Sequence, residues 1–268
     1  MYWWNLPPER RLPLRAYVAG FTVKNGVPIN YVEAIGLCEW MEVGFNTFYA
    51  FRGGEAGWIY AQALRCLCAL MGTKVVSVYP YQLGQQNDEA LDSGAFWFYR
   101  KLGFRPGGRD ELRLAEREDR RIAADRKYRS SRGTLRRLAE SHVFYELAGT
   151  EEGAWDRFST RKLGLRVNRR MATEFDGDST RMRKETTAEA VRRLRLQTRG
   201  WSELERRALS DFALVLGEIE DLERWTSEEK RELAAVIRAK AAADEMEFMR
   251  RTQGHARLRR ALLRLGSS

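Results

Sequence analysis

Hydrophobic and polar positions change their period twice along this chain. Residues 14–24 form an extended run carrying Tyr17, Val18, Phe21 and Val23, which predicts a strand. Asn25-Gly26 follows as a two-residue hairpin signal, and a return strand starts at Val27 with Ile29, Tyr31 and Val32. The extended pattern of residues 33–51 is too long for one strand, so Gly36 and Gly44 are the expected breaks. A further strand is expected over 41–51, with Val43, Phe45, Thr47 and Tyr49 on one face. Residues 57–71 then read as a helix that is apolar on nearly every side, stopped by Gly72. Lys74-Val75-Val76-Ser77-Val78 lacks alternation, as a strand buried on both faces does. Strand, helix and strand in this order imply a right-handed parallel crossover.

Beyond Pro106 the pattern becomes helical. Helices are expected over 110–128, over 134–147 with Leu135, Leu138, Phe144 and Leu147 on one face, and over the arginine-rich stretch 161–183. Gly177-Asp178-Ser179 looks loose. Three more helices are expected over 187–198, 202–223 and 227–264, each opened by a capping-box spacing: Thr186 to Glu189, Ser202 to Glu205, Thr226 to Glu229.

Composition sharpens this division. The first 108 residues hold 10 Lys and Arg against 8 Asp and Glu, and the remainder holds 37 against 29. Of 30 aromatic residues, 20 precede residue 109. An aromatic α/β module over 1–108 followed by a charged, all-helical region over 109–268 is therefore expected, with the boundary near Gly107-Gly108. The apolar runs are too short for a membrane span, and the N-terminus lacks the basic start and apolar stretch of a signal peptide. A cytoplasmic protein is the expectation. Cys38, Cys66 and Cys68 read as reduced thiols, and with only His142 and His255 to add they do not make a metal site. The net charge of +10 invites a nucleic-acid reading, but acidic residues interleave with the arginines, as in Glu116-Arg117-Glu118-Asp119-Arg120-Arg121. That pattern favours solvated helix faces over phosphate contacts and leaves the helical region to engage a protein partner.

Candidate chemistry concentrates at Arg52-Gly53-Gly54-Glu55-Ala56-Gly57, between a strand and the apolar helix. Residues without side chains let phosphate oxygens reach backbone N–H groups, and a helix N-terminus adds partial positive charge. Arg52 is placed to pair with an outer phosphate. The spacing fits neither a dinucleotide fingerprint nor a P-loop.

With that turn, the ending Ala95, Tyr99 and Lys101-Leu102-Gly103-Phe104 resembles the second half of a GNAT-superfamily acyltransferase. The resemblance implies a mixed sheet that binds acetyl-CoA or another acyl-CoA and transfers the acyl group to an amine. It implies that backbone groups of Arg52, Gly53, Gly54, Glu55, Ala56 and Gly57 hold the pyrophosphate. Asn87 would touch the pantetheine arm, although it sits about five residues early for the family's asparagine. Tyr99 would protonate the departing thiolate. Glu42, with Glu39 second, would be the base that deprotonates the acceptor amine. The pattern departs from the family at Glu55, which stands where a glycine belongs, and at both ends. Too few residues precede 14–24 for the family's opening strand and two helices, and charged helix replaces its final hairpin. An inactive scaffold or interaction protein of the same fold is the first alternative, and a nucleic-acid-associated helical protein the second.

Overall fold

The computed structural model describes residues 1–267. Two compact units divide the chain: one comprises residues 1–4, 18–35 and 40–156, the other residues 5–17, 36–39 and 157–268. The change in composition at Gly107-Gly108 is not where the units divide. Residues 109–156 stay with the sheet because one of its inner strands lies beyond residue 140.

That sheet has seven strands, in the spatial order β1 (Tyr2–Asn5), β2 (Ala16–Lys24), β3 (Val27–Leu37), β4 (Trp40–Thr47), β5 (Val75–Val78), β7 (Val143–Glu146) and β6 (Arg105–Pro106). The fold is mixed α/β, with twelve helices among the described residues. The hairpin at Asn25-Gly26 forms as the sequence predicts. Both residues have positive φ, 52° and 81°, the combination a tight turn of this hand needs. The expected break at Gly36 is absent: β3 runs through it and turns at Cys38-Glu39, where Cys38 takes the positive φ. β4 ends at Thr47 rather than continuing to Phe51, and a single 3-10 turn covers Tyr49–Phe51.

Helix α1 (Ala56–Met71) follows and stops at Gly72, whose left-handed φ of 66° closes the C-terminus. It returns the chain to β5, which pairs parallel with β4 in the register Trp40↔Val75, Met41↔Val76, Glu42↔Ser77. All four residues of β5 are buried, as its unbroken apolar pattern predicts. Tyr60, Leu67 and Met71 of α1 are buried with Met41, Val43, Val76 and Val78 of the sheet. Each such side chain contributes roughly 1.5–3 kcal/mol by leaving water.

Three short helices come next, α2 (Pro80–Leu83), α3 (Asp88–Asp92) and α4 (Ala95–Lys101). After β6 come α5 (Arg109–Ala124) and α6 (Arg132–Leu138). The helix expected over 134–147 ends at Leu138, and Val143-Phe144-Tyr145-Glu146 is strand β7, antiparallel to both β5 and β6. Two parts of the sheet were not expected from the sequence: a four-residue strand, β1, edges it, and β7 pairs with β6 although α5 and α6 lie between them in the chain.

The other unit is helical from residue 160 onward: α7 (Thr160–Glu174), α8 (Ser179–Leu194), α9 (Glu203–Leu216), α10 (Ser227–Ala239), α11 (Glu245–Gly254) and α12 (Ala256–Ser267). The expected start at Thr186 lies inside α8, where the Thr186 hydroxyl donates to the Met182 carbonyl at 2.8 Å. The boxes at Ser202/Glu205 and Thr226/Glu229 form in both directions. Glu245 is fully buried, beside Lys240 and, at 3.9 Å, Arg11. Lys240 also donates to the Arg15 carbonyl at 2.8 Å, so the buried charges are compensated and hydrogen-bonded. No helix among the described residues is long and apolar enough to cross a membrane.

Candidate functional site

β4 runs on to Thr47, five residues past Glu42, the last position in its register with β5. β5 stops at Val78 and the chain turns into α2, and the carboxyl ends of parallel strands are the usual place for a ligand in an open α/β sheet. A cleft of about 760 Å³ opens there. Its walls are Tyr31 and Glu33 of β3, Gly44 to Thr47 of β4, Arg52, Gly53 and Ala56 at the start of α1, Tyr81 and Gln82 of α2, residues of α3, and Phe98 and Tyr99 of α4.

One wall is the glycine turn. Gly53 and Gly54 have no atom within 4 Å of the point where a Cβ would sit, so no side chain plugs the junction. Neither glycine has positive φ, so the backbone conformation does not require them. Helix α1 starts without a side-chain cap. The Ala56 amide closes a turn onto the Gly53 carbonyl at 3.1 Å, whereas the amides of Gly53, Gly54, Glu55, Gly57 and Trp58 carry no protein acceptor. These are the orphan donors of a helix N-terminus, left for solvent or a ligand. Two cations flank them, each holding a carboxylate: Arg52 with Glu89, and Lys24 with Glu55 at 2.6 Å.

The floor is polar and buried. Tyr99 is 4% exposed, edge-on to Tyr60, Phe98 and Phe104 at centroid distances of 5.2–5.7 Å. Burial raises its phenol above the ordinary tyrosine value, so the hydroxyl keeps its proton. That hydroxyl donates to Gln82 Oε1 at 3.0 Å, and the Phe45 amide of β4 reaches the same oxygen at 3.3 Å. A Cβ on Gly44 would come within 2.9 Å of Gln82 Nε2, so the carboxamide lies directly over Gly44. Only a residue without a side chain leaves Gln82 this seat.

The structure brings Tyr99, Arg52, Gly53, Ala56 and Asn87 to one cleft. Asn87 is committed locally: its Oδ1 accepts from the Ala90 amide at 3.2 Å as the cap of α3, and its Nδ2 donates to the Tyr81 carbonyl at 3.1 Å. Glu42 does not line the cleft and holds His142 instead, Oε2 to Nε2 at 3.2 Å. Glu39 faces Arg259 at 2.6 Å, which removes it as a base. Sequence reasoning passed over Gln82 and His142. Nothing about an isolated glutamine signals its role, and His142 was weighed only as a metal ligand.

No family model, curated protein or solved structure matches this chain.

Proposed function

We propose that this chain binds an acyl-CoA in the cleft beside Gly53 and Gly54 and transfers the acyl group to an amine. One observation carries the reading: at an open strand-to-helix junction whose amides are mostly unpaired, Gly53 lines the same cleft as a buried, protonated tyrosine. Amides of this kind suit a diphosphate, which gains both hydrogen bonds and the positive end of α1. Arg52 and Lys24 add charge once a phosphate displaces Glu89 and Glu55. A thioester laid along the floor brings its carbonyl toward Phe45 N–H and its sulfur toward Tyr99, whose proton neutralises the departing thiolate. The order of the elements supports the same reading. A strand leading into a glycine turn and helix, a next strand, and a tyrosine-bearing helix that runs into Lys101-Leu102-Gly103-Phe104 follow the order the GNAT resemblance implies.

Calorimetry with acetyl-CoA tests the proposal. The full-length chain should bind, and Gly54→Glu should weaken binding at least tenfold, about 1.4 kcal/mol. Since the Gly54 Cβ position is open, the variant should fold as the parent does. A folded parent that binds no acetyl-CoA, or a variant that binds it equally well, removes the cradle.

A further inference from the structure

The pair Glu42–His142 lies outside the lining of the cleft but close to its root. Glu42 is the last residue of β4 in register with β5. Gly44, two positions on and therefore on the same face about 6.6 Å away, sits beneath the Gln82 carboxamide that Tyr99 donates to. His142 immediately precedes β7, whose Val143 pairs with Val78 of β5, so it falls opposite the end of β5. Tyr79, the residue after β5, meets the His142 ring edge-on at 5.2 Å. The groups facing the imidazole are thus Glu42 from β4, Tyr79 from the end of β5, and Phe144, 6.2 Å away along β7. Both members of the pair are partly exposed, 33% for the imidazole and 24% for the carboxylate, so small molecules can reach them.

We infer that His142, oriented by Glu42, is the base that takes the proton of the acceptor amine; the inference rests on the acyl-transfer reading above. The carboxylate accepts from Nε2–H, which leaves the Nδ1 lone pair free to receive a proton. The amine lone pair attacks the thioester carbon, the C–N bond forms and the C–S bond breaks. The amine proton passes to His142 Nδ1. The sulfur leaves with its electron pair and takes the proton of Tyr99, and solvent returns the imidazolium proton to the phenolate. Glu42, which the sequence marked as the base, becomes a positioning residue.

The chain has two histidines, His142 and His255, so their imidazole signals separate readily in a ¹⁵N NMR spectrum. His255 is 2% exposed, with Nε2 at 2.9 Å from the Glu229 carbonyl, and serves as an internal control. Acetyl-CoA, at a concentration that calorimetry shows to saturate the full chain, should shift the His142 ring resonances and leave those of His255 in place. Glu42→Ala should move the His142 Nε2 resonance, because the hydrogen bond from Nε2–H to the carboxylate is lost. Saturated protein with unmoved His142 signals overturns the role of this histidine while leaving acyl-CoA binding intact, and an unmoved Nε2 resonance in Glu42→Ala overturns the dyad. Failure of acetyl-CoA to bind rejects the acyl-transfer reading itself, and this inference with it.

Discussion

Gln82 holds two donors at once, and that makes it the most informative side chain in the cleft. Its Oε1 receives the Tyr99 hydroxyl and the Phe45 amide, the arrangement a carbonyl oxygen of a ligand would need. The side chain therefore fills a polar site rather than merely bordering it. Two consequences follow in opposite directions. Without ligand, Gln82→Ala leaves the buried Tyr99 hydroxyl without its acceptor, and stability in urea should fall by about 1–3 kcal/mol. With acetyl-CoA present, the thioester inherits both donors, its carbonyl that of Phe45 and its sulfur that of Tyr99, without displacing a glutamine. The rise in Tm at saturating acetyl-CoA should then be larger in the variant than in the parent. A smaller rise would mean that Gln82 helps to hold the ligand instead of standing in its place.

Arg105 shows at the level of elements why β6 stays paired with β7 although two helices lie between them in the chain. β6 has only two residues, too few for pairing alone to fix it. Its Arg105 makes a forked contact to Glu146 of β7, at 2.8 and 2.9 Å, and a second to Asp156 at 3.0 and 3.1 Å. A planar guanidinium satisfies both carboxylates together, and an ammonium does not. Arg105→Lys should cost about 1.5–3 kcal/mol in urea unfolding, despite conserving charge. A loss below 0.5 kcal/mol, by contrast, would show that the pair is held by β7 and its sheet neighbours alone. The same contact explains what the sequence hid. Local signals were readable: Asn25-Gly26, the stop at Gly72, the buried β5, and the capping boxes at Ser202 and Thr226 all formed where their chemistry placed them. β7 was not readable, because four residues with apolar spacing also fit a helix and their partners lie at β5 and β6, far back in the chain. The order of the glycine turn and Tyr99 was legible, and Gly53 and Tyr99 do line one cleft. The pairing of Glu42 with His142, a hundred positions apart, was not.

Across the molecule, many of the acidic residues that interleave with the arginines pair with them in the fold. In the helical unit Arg257 bridges Asp221 and Glu229, Arg193 bridges Glu189 and Glu223, and Arg238 reaches Glu205. The hydrogen bond and charge of Arg257 hold the Asp221 carboxyl below its ordinary value of 3.8. The Thr226 backbone and Arg257 do the same for Glu229, below 4.5. For Glu205 burial pulls upward, but the bonds from Ser202 and Arg238 prevail and the shift is downward. Glu118, in the sheet-bearing unit, is likewise held down by Ser130, Tyr128 and Arg121 against the pull of burial. Each group binds its proton less readily folded than unfolded, so each contributes stability that is complete above its unfolded value and disappears as pH falls through the folded one. Protonating the acidic partners also lets the net charge climb well above +10, and self-repulsion adds to the loss. The urea midpoint should accordingly stay level between pH 8 and pH 6 with respect to these groups and then drop steeply from about pH 5 to pH 3. Asp221→Asn removes one contributor, so its unfolding curve should lie below the parent's at pH 7 and converge on it at pH 3. Parallel curves for the two proteins across that range would show that Asp221 titrates alike in both states and that its arginine contact carries no linked stability.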